Sequence, residues 1–326
     1  MSKGLSQKIF GSIYLKLFVS FGLIALILLK IDLGTLKENL LAADLKIYGF
    51  ATGLFFLQQV VIAYSWQILL KAQENRVSFW NVLRVYFIGS FMGTFLPSSV
   101  GMDVVRIYGL AKHIKDGVDS ASSMVVSRIL GFLVLIAFAL VAAIPMSRLM
   151  HESQIFLWIF LLSVLFLGTA VFVLSPLTQK ILYFILEKIH LSRFNASIQA
   201  VYRSIYEFSQ HKKALLQLTG VSVFFQLLGI YIVFLVGKSL NIPLSMTYYF
   251  LLIPIIMVIT LIPISIAGIG VRESSFIYFF TQAGISSTQA LSLSFLVFFQ
   301  WILMALIGGL IYLLVGFQGA QVMEQH

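Results

Sequence analysis

Cysteine is absent from this chain of 326 residues, and charged residues make up only 10% of it. Without cysteine there is no disulfide, no thiolate nucleophile and no cysteine metal site. The five histidines have no partner at metal-ligand spacing, and no cluster of acidic residues and histidines suggests metal-dependent chemistry. A phosphate loop of the Walker type is missing as well. These absences argue against a catalytic site, a metal, a cofactor and ATP hydrolysis.

Apolar side chains are abundant instead: 60% of the residues are hydrophobic. A soluble domain carries about 25% charged residues, so too little polar surface is left to cover a soluble core. The formal net charge of +10 could suggest a nucleic-acid partner. In a membrane protein, however, excess lysine and arginine marks cytoplasmic loops and contact with anionic lipid. The composition therefore predicts a membrane protein with no nucleic-acid partner.

Long apolar runs predict an all-α polytopic membrane protein that forms one domain over residues 1–326. Full spans are expected at about 12–30, 47–70, 119–145, 154–175, 214–237 and 286–316. Two further apolar segments, about 81–97 and 246–263, end at Pro97 and Pro263, and each is followed by a glycine-containing turn and a more polar helical stretch. They predict two re-entrant, broken-helix elements at about 81–116 and 246–283.

The polar region 176–213 is rich in lysine and arginine, and its apolar residues recur at helical spacing. This pattern predicts amphipathic helices in a cytoplasmic loop, with both termini on the cytoplasmic side of a bacterial inner membrane. The basic cluster of Arg106, Lys112 and Lys115 is cytoplasmic only if the segment 81–110 enters the membrane and returns. The charge distribution therefore favours the re-entrant interpretation.

The two proline-terminated segments resemble each other. Residues 94–106 are TFLPSSVGMDVVR and residues 260–272 are TLIPISIAGIGVR, at a constant offset of 166 from Thr94 to Thr260. Three expected spans lie between the two copies, and an odd number reverses the orientation. The pattern therefore predicts an inverted repeat whose broken helices meet near the midplane, an architecture of transporters.

Broken helices expose backbone N–H groups that favour anions, and an arginine just beyond each break adds a donor that can bind phosphate with two parallel bonds. We expect these elements to hold an anionic lipid head group, with Arg106 and Arg272 each serving it in one access state. The predicted binding residues are Arg106, Arg272, Asp103, Glu273, Arg128, Ser99 and Ser265, and the predicted break residues are Pro97, Gly101, Pro263, Gly268 and Gly270. The alternative is that both prolines only kink helices and that the arginines snorkel to the interface.

Arg128 lies well inside an expected span, where an unpaired charge is costly, so it should find Asp103 or Glu273. Asp103 and Arg106 share a helix face and can also pair with each other. Glu273 adjoins Arg272 and is expected to point elsewhere, towards Arg128 or an amine-bearing head group.

At these motifs the chain resembles the flippase-like transmembrane domain of bacterial lysylphosphatidylglycerol synthases, which also occurs as stand-alone membrane proteins. The segment PSSVGMDVVRIYGLAK is similar to the family's first turn, PISIAGIGVRES to its second, and SSMVVSRILGFLVL to a helix in which an arginine opens a long apolar run. The resemblance implies the lipid-translocating half of a synthase, and we expect no soluble synthase domain.

These patterns predict a flippase-like translocase for an anionic or aminoacylated phospholipid or a polyprenyl-phosphate-type lipid. The alternatives are a membrane-embedded lipid-modifying transferase and an accessory subunit of a glycosyltransferase. Expected partners are the lipid and the membrane, and a homo-oligomer or a separate glycosyltransferase or synthase is compatible with the sequence.

Overall fold

The structure is a computed structural model. It describes residues 18–29, 31–94, 99–114, 117–149, 195–262, 264–266 and 268–315, together with scattered positions between 157 and 188. Within these residues the regular secondary structure is helical throughout, which confirms the predicted all-α class. The helices are α1 (Phe18–Leu29), α2 (Leu33–Leu41), α3 (Leu45–Ala72), α4 (Phe79–Thr94), α5 (Ser99–Ala111), α6 (Gly117–Leu149), α7 (Asn195–Glu207), α8 (Lys212–Ser239), α9 (Met246–Thr260), α10 (Val271–Gln282) and α11 (Ser287–Val315).

Four helices, α3, α6, α8 and α11, are long and apolar enough to cross a membrane. Each has at least 28 residues, or about 42 Å at 1.5 Å per residue, against about 30 Å of hydrocarbon. They confirm four of the expected spans, those at 47–70, 119–145, 214–237 and 286–316. In the region of the expected span 12–30, α1 is short and α2 leaves it at 92°. The expected span 154–175 lies almost wholly outside the described residues.

Acidic residues set the beginnings of two helices. Asp44 precedes α3 and accepts hydrogen bonds from the backbone N–H groups of Lys46 and Ile47, at 2.8 and 3.1 Å. Asp32 does the same for α2, and hydrogen bonds from Thr35 and Gly34 lower the pKa of its exposed carboxyl. Such caps satisfy N–H groups that have no partner within the helix.

Helices α4 and α5 form a tight antiparallel hairpin. A Cβ atom on Gly93 would lie 2.6 Å from the Cβ of Met102, and one on Gly89 would lie 2.4 Å from the Cγ of Arg106. Glycine at these positions therefore lets the two backbones approach closely. The helices have 16 and 13 residues, about 24 and 20 Å, so neither crosses a full hydrocarbon core.

Helices α9 and α10 form a second hairpin with the same construction. Thr260 at the end of α9 meets Gly268 before α10, and the rings of Tyr249 and Phe280 at the other ends lie 5.3 Å apart. Gly268 and Gly270 have positive φ angles of 76° and 85°, so the chain turns between the helices through conformations that favour glycine.

The predicted breaks at Pro97 and Pro263 fall on residues outside the described ranges. Gly268 and Gly270 lie in the connection between α9 and α10, as predicted. Gly101 is helical, the third residue of α5, so the first break ends before it.

The centre of the fold is the contact between α3 and α8, which is the most extensive helix pair. The backbone N–H of Asp44 donates to the carbonyl of Ser239 at 2.8 Å, and Nε2 of Gln58 donates to the carbonyl of Phe225 at 2.9 Å. Residue numbers rise along one helix as they fall along the other, so α3 and α8 run antiparallel. Around this pair, α4 packs on α11 and α9 packs on α6.

Helix α7 is the described part of the region predicted to contain amphipathic helices. Arg203 and Tyr206 are exposed on it, whereas Ser204 is buried against α6. The amide of Gln73 donates to Ser204 at 2.8 Å and to Ser122 at 2.9 Å. Its amphipathic character is therefore confirmed, and the buried face docks onto the ends of α3 and α6.

Candidate functional site

An arginine–aspartate cluster lies among α4, α5 and α6. It consists of Asp103 and Arg106 on α5 and Arg128 on α6, and Ser90 and Tyr86 on α4 support it. The predicted partner of Arg128 is confirmed: Nε donates to Oδ2 of Asp103 at 2.8 Å and Nη2 donates to Oδ1 at 2.6 Å. This two-bond geometry is the strong form of a guanidinium–carboxylate pair.

Arg106 is held on every side. Its Nη1 donates to Asp103 at 3.3 Å, its Nη2 to the hydroxyl of Ser90 at 2.7 Å and its Nε to the carbonyl of Tyr86 at 3.3 Å. The guanidinium carbon lies 3.7 Å from the centre of the Tyr86 ring. Since Arg106 is only 1% exposed, its role in this conformation is to lock α5 against α4 and to position Asp103.

Arg128 is the accessible member of the cluster. Its side chain is 34% exposed, against 17% for Asp103. Both of its hydrogen bonds use Nε and Nη2, so within the described part of the chain Nη1 has no hydrogen-bond partner. Two guanidinium groups share one carboxylate, which leaves a net charge of +1. The cluster therefore presents one positive charge and a free pair of donors through Arg128.

A second cluster lies between α10 and α11. Arg272 donates to Oε1 of Glu273 through Nη2 and, at 3.1 Å, through Nε, and its guanidinium carbon lies 4.5 Å from the Phe298 ring centre. The other oxygen of Glu273 accepts from the N–H of Gly270 at 2.7 Å, and the hydroxyl of Ser294 lies 3.5 Å from Oε1. Both charges are buried and neutralise each other.

The expectation that Glu273 points away from Arg272 is wrong. Glu273 is the third residue of α10, where a glutamate reaches back to the N–H that precedes the helix. This places its carboxylate beside the break, and the long side chain of Arg272 bends over to meet it. Glu273 is therefore not the partner of Arg128, and it is only 1% exposed.

The two clusters differ in charge because one position differs. At the repeat offset of 166 residues, Arg128 corresponds to Ser294, and Phe132 corresponds to Phe298. The first cluster therefore has a second arginine where the second cluster has a serine. No ion pair between described residues joins the two clusters.

The two predicted serines have different positions. Ser265 lies in the connection between α9 and α10, and its hydroxyl is buried without a hydrogen-bond partner among the described residues. Ser99 is the first residue of α5, and its side chain is outside what the structure describes. Sequence reasoning missed Tyr86, Ser90 and Phe298, which carry no motif. Their only signal is that they recur one or two turns apart on helices that face a buried arginine.

No group of three or more histidine, aspartate or glutamate side chains that could hold a metal ion occurs in the described ranges. The chemistry of the first cluster is electrostatic: it can hold an anion through Arg128. Phosphate and carboxylate suit such a donor pair because their oxygens accept two parallel bonds from one guanidinium.

Fold and site together define a multi-pass helical membrane protein with a charged cluster inside its helix bundle. The chain belongs to the family described as the lysylphosphatidylglycerol synthase TM region, whose family model matches residues 13–309. This membership implies a function related to membrane lipids. A search of curated proteins found no match, and a search of solved structures found none either.

Proposed function

We propose that the chain is a lipid translocase that moves an anionic or aminoacylated phospholipid, or a polyprenyl-phosphate-type lipid, between the leaflets of the bacterial inner membrane. The observation that carries the proposal is the net positive arginine–aspartate cluster, in which Arg128 is one third exposed within a spanning helix. Arg128 is the twelfth residue of α6, about 16 Å from its beginning, which is close to half of the hydrocarbon thickness. A head group that crosses the membrane must pass this depth.

The proposed architecture is an inverted repeat of two units, α3–α6 and α8–α11. Corresponding helices begin or end 166 or 167 residues apart, as from Leu45 to Lys212 and from Thr94 to Thr260. The packing supports the same assignment, because the pairs α4–α11 and α9–α6 are exchanged by it. The antiparallel course of α3 and α8 supports the inversion. Each unit contributes one short hairpin, the form expected of a re-entrant element.

The proposed orientation places the end that carries α7 in the cytoplasm. The described basic side chains at that end outnumber the acidic ones: Lys71, Arg76, Arg84, Lys112, Arg203, Lys212 and Lys213 against Glu74, Asp119 and Glu207. At the opposite end the signs balance: Lys37, Lys46 and Lys238 against Asp32, Glu38 and Asp44. The excess of lysine and arginine on one side supports a cytoplasmic location of that side.

Within this site we assign the direct contact with the lipid phosphate to Arg128. Asp103 holds the Arg128 side chain in place, and Arg106 positions Asp103. Arg272 and Glu273 neutralise each other in the conformation described, so their part in binding requires the second hairpin to rearrange. Ser99 and Ser265 remain proposed contacts at the two breaks.

The test is translocation of a fluorescent phosphatidylglycerol in proteoliposomes that contain the purified protein and no nucleotide. Arg128→Gln should lower the rate about tenfold or more, because a charge-assisted hydrogen bond contributes about 1.5–3 kcal/mol. Arg203→Gln is the matched control, since its guanidinium is 82% exposed at the surface of α7. Equal rates for wild type and Arg128→Gln would refute the assignment. Turnover of an acyl or glycosyl donor by a protein that moves no lipid would identify a transferase instead.

A further inference from the structure

Gln59 is an outlier among the buried glutamines of this chain. It is 1% exposed, and within the described part of the chain neither Oε1 nor Nε2 has a hydrogen-bond partner. The other glutamines buried in spanning helices are satisfied. Gln58 donates to a carbonyl on α8, Gln67 donates to the carbonyl of Val77 and Gln300 donates to Thr52. A buried polar group without a partner costs about 1–3 kcal/mol, so its retention calls for a functional explanation.

Gln59 is the fifteenth of the 28 residues of α3, so it lies at the middle of that span. Phe55 and Ala63, one turn before and after it on the same face, belong to one buried cluster with Tyr86. The ring and carbonyl of Tyr86 hold Arg106. This face of α3 therefore packs against the helix that supports the arginine–aspartate cluster.

A contact between α3 and α6 gives the depth of Gln59 relative to Arg128. The indole N–H of Trp66 donates to the hydroxyl of Ser123 at 2.9 Å. Gln59 lies seven residues before Trp66 and Arg128 five residues after Ser123, which is about 10 and 8 Å away from this contact. Both displacements lead away from the α7 end, where α3 ends and α6 begins. The amide and the guanidinium therefore lie at nearly the same depth.

We infer that Gln59 is a second binding element of the translocation site, which recognises a hydroxyl-bearing head group next to the phosphate that Arg128 holds. The inference rests on the proposed function and adds a substrate class to it. A carboxamide both donates and accepts, so it matches a hydroxyl, which does the same. The guanidinium recognises the charge and the amide recognises the uncharged polar part of the same head group. The second unit has Phe225 at the corresponding position, so this recognition belongs to the first unit alone.

The experiment compares two lipids of equal charge. Phosphatidylglycerol carries two head-group hydroxyls, and phosphatidylpropanol has the same phosphodiester and a three-carbon head group with none. Nanodiscs that contain the protein and an equal mixture of the two lipids are analysed for the lipid that stays bound, and proteoliposomes give the rate for each lipid. Wild type should prefer phosphatidylglycerol about three- to tenfold, the value of one or two hydrogen bonds.

Gln59→Met keeps the length of the side chain and removes its hydrogen bonds. We expect the preference to fall to about one while the melting temperature stays equal or rises, because the variant removes an unsatisfied buried amide. Gln300→Met is the matched control: it should keep the preference and lower the melting temperature, because it breaks the bond to Thr52. Arg128→Gln should weaken both lipids alike.

The inference fails if wild type shows no preference, or if Gln59→Met keeps it. It also fails if Gln59→Met melts well below wild type, since the amide then has a structural partner. Its failure is distinguishable from failure of the translocase proposal. A binding preference that Gln59→Met abolishes supports the inference even if neither lipid is moved, and that result refutes translocation alone.

Discussion

Asp103→Asn tests whether the arginine–aspartate cluster is an energetic unit. Asp103 is the counter-ion of two guanidinium groups, one buried and one partly exposed. Breaking a buried ion pair by removing one partner costs about 3–5 kcal/mol, because the remaining charge stays buried. Arg128 can turn to water for part of its loss, whereas Arg106 cannot. We therefore expect the low end, about 3 kcal/mol.

The assay is thermal unfolding in detergent, followed by the fluorescence of tryptophan, of which Trp66 is buried in the core. For a chain of this length each kcal/mol shifts the midpoint by about 2 °C, so Asp103→Asn should melt about 6 °C lower. Glu207→Gln removes the carboxylate of an exposed ion pair with Arg203 and should change stability by less than about 0.5 kcal/mol. Equal midpoints for the two variants would refute the buried-cluster argument.

Three further outcomes are expected. Glu273→Gln should destabilise the protein more than Asp103→Asn does, because the carboxylate and its arginine are both buried, and unfolding midpoints measure the order. Gly308→Ala should lower the midpoint, because its Cβ would lie 2.1 Å from the carbonyl oxygen of Phe87, whereas Gly53→Ala has no atom within 4 Å and should raise it slightly. In this cysteine-free chain, a cysteine at Lys37 should react with an impermeant maleimide in intact cells and one at Arg203 should not; the reverse labelling would refute the orientation.

The sequence predicted the parts of the fold that depend on local pattern. Long apolar runs identified four spanning helices, and proline with glycine predicted where the chain folds back into two hairpins. The pair of Gly89 and Gly93 was expected to allow close helix packing, and each glycine faces α5 as that expectation requires. These features could be predicted because apolar length and the absence of a side chain act locally.

Features that depend on three-dimensional packing were not predictable. Glu273 was misjudged because neighbours in sequence normally point in different directions along a helix, and the rule fails at a helix beginning where the first turn is still open. The bend of 92° between α1 and α2 has no strong breaker in its sequence. The orphan amide of Gln59 was assigned to interhelical hydrogen bonding, because only the packed structure distinguishes it from its satisfied neighbour Gln58.

The way the helices pair across the two proposed units restricts how the protein can move. The broadest contact of α4 is with α11 in the other unit, and α9 packs on α6 in the same exchanged manner. The two units are thus interlocked like clasped hands, and rocking one against the other would tear both contacts at once. We expect the interlocked helices to act as a fixed frame. Motion that exposes Arg128 first to one leaflet and then to the other would fall to the outer arms, α5 and α10, swinging about the glycine-rich connections at their inner ends.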